Sequence, residues 1–264
     1  MESKGWFEAF RSRGRTMGKT LVVTGGSRGI GAAIARLAAR DGYDVVLTYR
    51  VEEKQAAKIV QEITACGRRA LAVQADVSVE ADVLRLFETV DREFGPLDAL
   101  VNNAGVDHVC TVMDVDADSI DWAFGVNVKG PILCTREAAK RMAKSSGGKG
   151  GVVIHVGSGS SRTGGAGGGQ HVYAGTKAAL DIYTMTSARE LGPEGIRTVV
   201  VRPGATETDM FSPDDLVATR AFAKDNYPLG RMGQPDEIAE AVVWLCSDKA
   251  SFITGFPIDV TGGR

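Results

Sequence analysis

The chain is poor in several things, and each shortage narrows what it can be. Its 264 residues include four cysteines and three histidines. Cys66, Cys110, Cys134 and Cys246 lie far apart, form no CxxC pair and have apolar neighbours. That pattern fits reduced thiols filling a core, not a disulfide framework. His108, His155 and His171 have no carboxylate or cysteine grouped around them, so no metal centre is expected. No apolar run approaches the ~20 residues that span a bilayer, and residues 1–18 lack the apolar stretch of a secretory signal. A cytoplasmic protein that stays off the membrane is expected. Neither sign of charge prevails, with 31 Lys+Arg against 33 Asp+Glu, so no global field gathers nucleic acid. A small-molecule partner fits better.

What the chain has is alternation. Short β-branched runs recur at Thr20–Thr24, Asp44–Tyr49, Ala70–Gln74, Ala99–Val101, Val152–Val156, Thr198–Val201 and Pro257–Val260. Helical patterns lie between them: Ile30–Arg40, Glu52–Ala65, Val79–Phe94 with Ser78 as N-cap, Asp118–Lys144, Tyr173–Leu191 and Pro235–Ser247. Strand-helix alternation on this scale needs right-handed crossovers and a sheet covered on both faces. The expectation is a single-domain α/β doubly wound Rossmann fold with a seven-stranded parallel sheet. It occupies 19–264, after a flexible extension 1–18 in which Trp6, Phe7 and Phe10 sit beside Arg11, Arg13 and Arg15. Two stretches, 157–169 and 205–230, are too long for ordinary connections and are read as loops beside the ligand cleft.

Directly after the first strand comes Thr24-Gly25-Gly26-Ser27-Arg28-Gly29-Ile30-Gly31, opening a helix. Glycines there permit positive φ and close backbone approach to a pyrophosphate, which the helix N-terminus attracts. About 20 residues further on, an acid would hold the 2′-hydroxyl of NAD, whereas an arginine would accommodate the 2′-phosphate of NADP. The chain has Tyr49-Arg50, and Arg28 adds a second cation. The expected cofactor is NADP(H).

Tyr173 and Lys177 stand four apart at the start of a helix, so both project from one face. A free phenol titrates near ~10, and an adjacent ammonium lowers that value, which makes an acid/base for neutral pH. Ser158, at a strand end across the glycine loop, offers a hydroxyl to the same substrate oxygen. His171, two residues before Tyr173, is a candidate substrate contact, and His155 is read as an inward strand residue. Met210, Phe211 and Tyr227 belong to a lid-like stretch.

These residues, together with Asn102-Asn103-Ala104-Gly105, Asn127 and Arg202-Pro203-Gly204, stand in the order and spacing of the short-chain dehydrogenases/reductases, which the chain resembles over about 18–264. The resemblance implies a catalytic set of Asn127, Ser158, Tyr173 and Lys177. Tyr173 would be the general acid/base, Lys177 would tune it and hold the nicotinamide ribose, Ser158 would orient the substrate oxygen, and Asn127 would hold a water in a proton relay. It also implies that Gly25, Ser27, Arg28, Gly29, Ile30, Gly31, Tyr49, Arg50, Asp76, Val77, Asn103, Ala104, Gly105, Pro203, Gly204, Thr206 and Thr208 bind cofactor with Tyr173 and Lys177. Glucose-dehydrogenase-like and 3-oxoacyl-carrier-protein-reductase-like members are the nearest in pattern, so sugar and 3-oxoacyl thioester both stand as substrates. A homotetramer is implied as well. Where the family often has Asn-x-Ser-Ser, this chain has His155-Val156-Gly157-Ser158, with Ser160 and Ser161 close behind. A cofactor-binding regulator without turnover is the alternative function, although it would not need all of Ser158, Tyr173 and Lys177.

Overall fold

The structure is a computed structural model that describes residues 18–165 and 168–264. The expectations for 1–17 and for Ala166 and Gly167 lie outside the described residues. Seven strands, β1 (Thr20–Val23), β2 (Asp44–Tyr49), β3 (Ala70–Gln74), β4 (Ala99–Asn102), β5 (Gly151–Val156), β6 (Ile196–Pro203) and β7 (Pro257–Val260), form one sheet in the order β3-β2-β1-β4-β5-β6-β7. Every pairing is parallel. The pleat explains why these runs are apolar throughout. Leu21 and Val23 of β1 enter one core while Val22 enters the other, and in β2 Val45 and Leu47 are opposed by Val46 in the same way.

Helices α1 (Gly29–Arg40), α2 (Glu53–Ala65) and α9 (Pro235–Cys246) cover the first face with Ile34, Ile59, Ile63, Ile238 and Val242. Helices α3 (Glu80–Glu93) and α5 (Gly130–Met142) cover the second with Leu86, Phe87, Val90, Cys134 and Met142. The long α7 (His171–Leu191) packs against β6. β1 lies between β2 and β4, so the chain reverses its winding there, and the crevice beyond the carboxyl ends of β1 and β4 opens at this reversal.

Several expectations give way. Asp118–Lys144 is not one helix: α4 (Ala117–Phe124) runs into a π turn over Gly125–Lys129 before α5 begins with Pro131 in its first turn. A proline in the middle of a helix would remove a backbone donor and collide with the preceding turn, so the break falls just ahead of it. Ser78 does not cap α3. Its hydroxyl donates to Asp76 at 2.6 Å, and Val79 occupies the cap position. The stretch 205–230 holds the helix α8 (Pro213–Asn226), capped by Ser212 accepting from Asp215 N, and 157–169 holds the short α6 (Ser160–Thr163). Cys66 is exposed and Cys110 half-buried, so only Cys134 and Cys246 fill the core. Among the described residues no helix is long and apolar enough to cross a membrane.

The amino edge of the sheet is held by Asp44. This buried carboxylate meets Arg68 and Arg69, each at 2.7 Å, and also accepts from Arg69 N at 3.1 Å. Two guanidiniums brought this far out of water need that anion. Asp44→Ala is expected to cost about 3 kcal/mol of unfolding free energy, read as a lowered urea midpoint at unchanged slope.

Candidate active site

The floor of the crevice is built by two loops that clamp each other. Thr24 Oγ1, just beyond β1, accepts from Asn103 N and Ala104 N at 3.0 Å each, just beyond β4. In return Asn103 Nδ2 donates to the carbonyls of Thr24 and Gly25 at 2.9 and 3.0 Å. Gly25 and Gly29 have φ of +64° and +53°, which side chains rarely adopt. A Cβ on Gly31 would stand 2.2 Å from the Gly25 carbonyl oxygen, so the α1 N-terminus reaches the loop only because no side chain intervenes. That terminus has no side-chain cap and no acid in its first turn, so its N–H groups and dipole face the crevice without a protein anion. A cradle of this kind fits a pyrophosphate.

The crevice is a cleft of about 950 Å³, and every residue expected to bind cofactor lines it. At one end are Tyr49, Arg50, Asp76 and Val77. Arg28 and Arg50 are exposed there, and the nearest carboxylate to Arg50, that of Asp76, is 4.0 Å away. Asp76 is occupied by Ser78, whose N and Oγ donate to it at 2.9 and 2.6 Å.

At the other end stand the reacting groups. Ser158 is buried just past β5, with its Oγ accepting from Ser160 N at 3.1 Å, and its hydroxyl is near enough to the Tyr173 phenol to act against the rise in that group's pKa. Ser160 and Ser161 begin α6, and the Ser161 hydroxyl donates to the Ser158 carbonyl at 2.9 Å, so Ser158 is the serine that meets the phenol. Lys177 is 4% exposed, its ammonium donating to the Val156 carbonyl at 2.9 Å and standing 5.7 Å from the centre of the Tyr173 ring.

The electrostatics correct the sequence reading. Burial pushes the Tyr173 phenol up to about 12, with the Ser158 hydrogen bond opposing and Asp107 reinforcing the rise. Lys177, whose ammonium donates to the Val156 carbonyl, is not among the influences on the phenol, so the lowering expected from it does not prevail over burial. Lys177 is itself pulled down to about 8 by burial, opposed by Asp107 and Asp181.

Asn127 sits in the π turn, fully buried, and holds the loop after β4. Its Oδ1 accepts from Val106 N at 2.8 Å, and its Nδ2 donates to Val106 O at 2.8 Å and Thr176 Oγ1 at 3.0 Å. Its side chain is thereby engaged by protein. His171 is exposed at the first turn of α7 and is not part of the cleft wall, against the expectation that it contacts substrate. Met210, Phe211 and Tyr227 do line the cleft. The sequence reading missed Asp107, Gln170 and Arg264, which line it too. Asp107 and Gln170 were discoverable from their places, just beyond Asn103–Gly105 and just before the Tyr173 helix. Nothing in the sequence pattern marked Arg264.

With this geometry in place, comparison with known proteins assigns the lineage. A family model described as enoyl-(acyl carrier protein) reductase matches residues 25–264. The chain belongs to the short-chain dehydrogenase/reductase family. It is 43% identical over 245 residues to the uncharacterized oxidoreductase YgfF of Escherichia coli (strain K12), covering 92% of this chain and 98% of that one. A short-chain dehydrogenase from Burkholderia cenocepacia J2315, solved in complex with NADP, superposes with a TM-score of 0.87 at 37% identity, covering 94% and 98% of the two chains. A 3-ketoacyl-(acyl-carrier-protein) reductase from Brucella melitensis, complexed with NADH, gives 0.84 at 36% identity over 94% and 98%. Among the described residues no group of His, Cys, Asp or Glu is arranged to hold a metal ion.

His155 lies beneath the site, wholly buried, with Nδ1 accepting from Asn102 Nδ2 at 3.2 Å and its ring edge-on to Tyr183. Burial, then Lys177, depress it to about 3, so it is held neutral. Because the unfolded chain binds a proton near pH ~6.5 and the folded one does not, stability falls as pH drops from there toward about 3. His155→Leu is expected to reduce the slope of unfolding free energy against pH in that window by one proton, about 1.4 kcal/mol per pH unit, measured by urea titration at successive pH values.

Proposed function

We propose that the protein is an NADP(H)-dependent oxidoreductase that interconverts a carbonyl and a secondary alcohol, with Tyr173 as general acid/base. The observation that carries this is the convergence of Tyr173, Ser158 and Lys177 at one end of a cleft whose floor is the glycine cradle at the α1 N-terminus. NADP(H), when bound, supplies or accepts the hydride. The glycine cradle at the α1 N-terminus would hold its pyrophosphate, Arg28 and Arg50 would meet its 2′-phosphate, and Pro203, Gly204, Thr206 and Thr208 would border its nicotinamide end.

The chain's own part is to orient and to move a proton. Ser158 Oγ and the Tyr173 hydroxyl, at the same end of the cleft, make two donors for one substrate oxygen. During reduction the phenol gives its proton to that oxygen as negative charge develops there. During oxidation the phenol must first lose its proton to solvent, and the phenolate then accepts the proton of the substrate hydroxyl. The buried Lys177 ammonium then stabilises the phenolate formed beside it. A non-catalytic regulator has no use for a buried lysine and a serine aimed at one phenol, so the enzymatic reading prevails.

The substrate read from the walls is a small carbonyl compound, not a carrier-borne thioester. The segment after β6 that borders the cleft contributes the exposed carboxylates of Asp209 and Asp215. Arg264, a cation on that side, is turned onto the protein: it lies over the rings of Phe222 and Tyr227 at 4.8 and 5.8 Å and donates to the Gly165 carbonyl. An acidic carrier protein would be repelled by such a rim. Ile182 on α7, with Phe252 and Phe256 before β7, is exposed, which supports assembly as a homo-oligomer.

The deciding experiment is Tyr173→Phe with NADPH and a panel of ketones, aldehydes, sugars and acyl thioesters. NADPH affinity is expected to persist while turnover falls by about 10²- to 10⁴-fold, and free carbonyls are expected to outperform carrier-bound thioesters in the parent enzyme. An unchanged rate in the variant would remove Tyr173 from the mechanism. Arg50→Ala is expected to weaken NADPH binding by roughly tenfold, about 1.4 kcal/mol, and to leave NADH binding unchanged, as read by fluorescence titration.

A further inference from the structure

Asp107 stands two residues beyond the Asn103–Gly105 segment and has no part in the scheme above. Its Oδ2 accepts from Gln170 Nε2 at 3.1 Å. An ionised carboxylate only accepts, which settles the orientation of the amide. Gln170 occupies the N-cap position of α7, three residues before Tyr173. A second fastening lies beside it: Cys110 N donates to the Gly169 carbonyl at 3.0 Å, and Gly169, at φ +91°, lies so close that a Cβ there would be 3.0 Å from Val109 Cγ1. The loop after β4 is therefore tied to the first turn of the catalytic helix at two points, and the Asp107 tie is the charged one. Asp107 Oδ1 is buried with no hydrogen-bond partner among the described residues, and this burial raises the carboxyl's pKa against the opposing pull of Gln170, His108 and Lys177.

We propose that Asp107 is a positioning residue of the reaction site, tying the cofactor-supporting loop to the start of α7, the helix that carries Tyr173 and Lys177. The charged and titratable groups that face it are Tyr173 and Lys177 from α7 and His108 in its own loop, and Lys177 in turn faces Asp181 on α7 and His155 on β5. Burial draws Lys177 down to about 8, and Asp107 is the foremost opposing influence. A nearby negative charge raises the proton affinity of every group around it. Removing it lowers the midpoints of both Lys177 and Tyr173, and the amine then goes neutral closer to physiological pH. The catalytic meaning of the tie rests on the function proposed above, but the titration does not.

The test follows Lys177 by NMR of the full-length protein labelled at lysine Cε, with the resonance assigned by its loss in Lys177→Arg. In Asp107→Asn the midpoint is expected to fall by about half a unit or more, and Asp107→Glu restores it toward the parent value. Gln170→Leu keeps the charge and cuts the tie: the midpoint stays while the KM for NADPH rises severalfold. A midpoint unmoved in Asp107→Asn overturns the proposal, as does a Gln170→Leu variant with an unchanged KM. No substrate is needed for the titration, so its failure is distinct from an unchanged rate in Tyr173→Phe.

Discussion

A lysine ammonium removed from water is costly unless it finds acceptors, and that cost organises this site. Lys177 finds the carbonyl of Val156 at the last residue of β5. The bond fixes how far α7 slides along the sheet. With Lys177 pinned there, Tyr173 lies one helical turn nearer the start of α7 and meets Ser158, two residues past the same carbonyl. The phenol, the hydroxyl and the amine are thus brought together by one buried hydrogen bond between helix and strand, and a side chain that stayed in solvent would leave that register unset.

The opposite wall obeys a related rule. Where β1 and β4 end, their backbone groups have no further strand to pair with, and Thr24 and Asn103 satisfy them reciprocally. That exchange draws the two loops together without apolar contact, which leaves the glycine turn open toward the cleft. Asn127 does the same for Val106 from the far side. Three polar side chains, each bonded to main chain, therefore hold the loops that flank the α1 N-terminus, and the space between them is shaped by hydrogen-bond geometry.

The strands and the glycine turn were legible because each rests on local pattern. β-branched runs in a two-sided sheet read as strands wherever they fall, and Thr24–Gly31 announces itself by spacing. The pairing of Tyr173 with Lys177 was legible because four residues make one turn. What escaped the sequence depends on partners distant along the chain. The state of the Tyr173 phenol is decided by burial, which no spacing reports, and His171 faces outward because its neighbour Val172 takes the inward direction. Cys66 has apolar neighbours in sequence yet falls at the exposed end of α2. The helix Pro213–Asn226 was signalled by Ser212-Pro213-Asp214-Asp215, an N-cap followed by proline and acids, but its weakly patterned faces read as loop.

The π turn at Gly125–Lys129 has a consequence of its own. A π turn takes one residue more than an α turn, so the spacing of inward positions shifts by one across it. On α4 the inward residue is Ala123, between the partly exposed Trp122 and Phe124, whereas on α5 Cys134, Ala138 and Met142 enter the core. The widened turn is where Asn127 faces the loop after β4 and bonds both backbone groups of Val106. The irregularity thus sets one polar anchor into an otherwise apolar run of helix and aims it at the wall of the cleft.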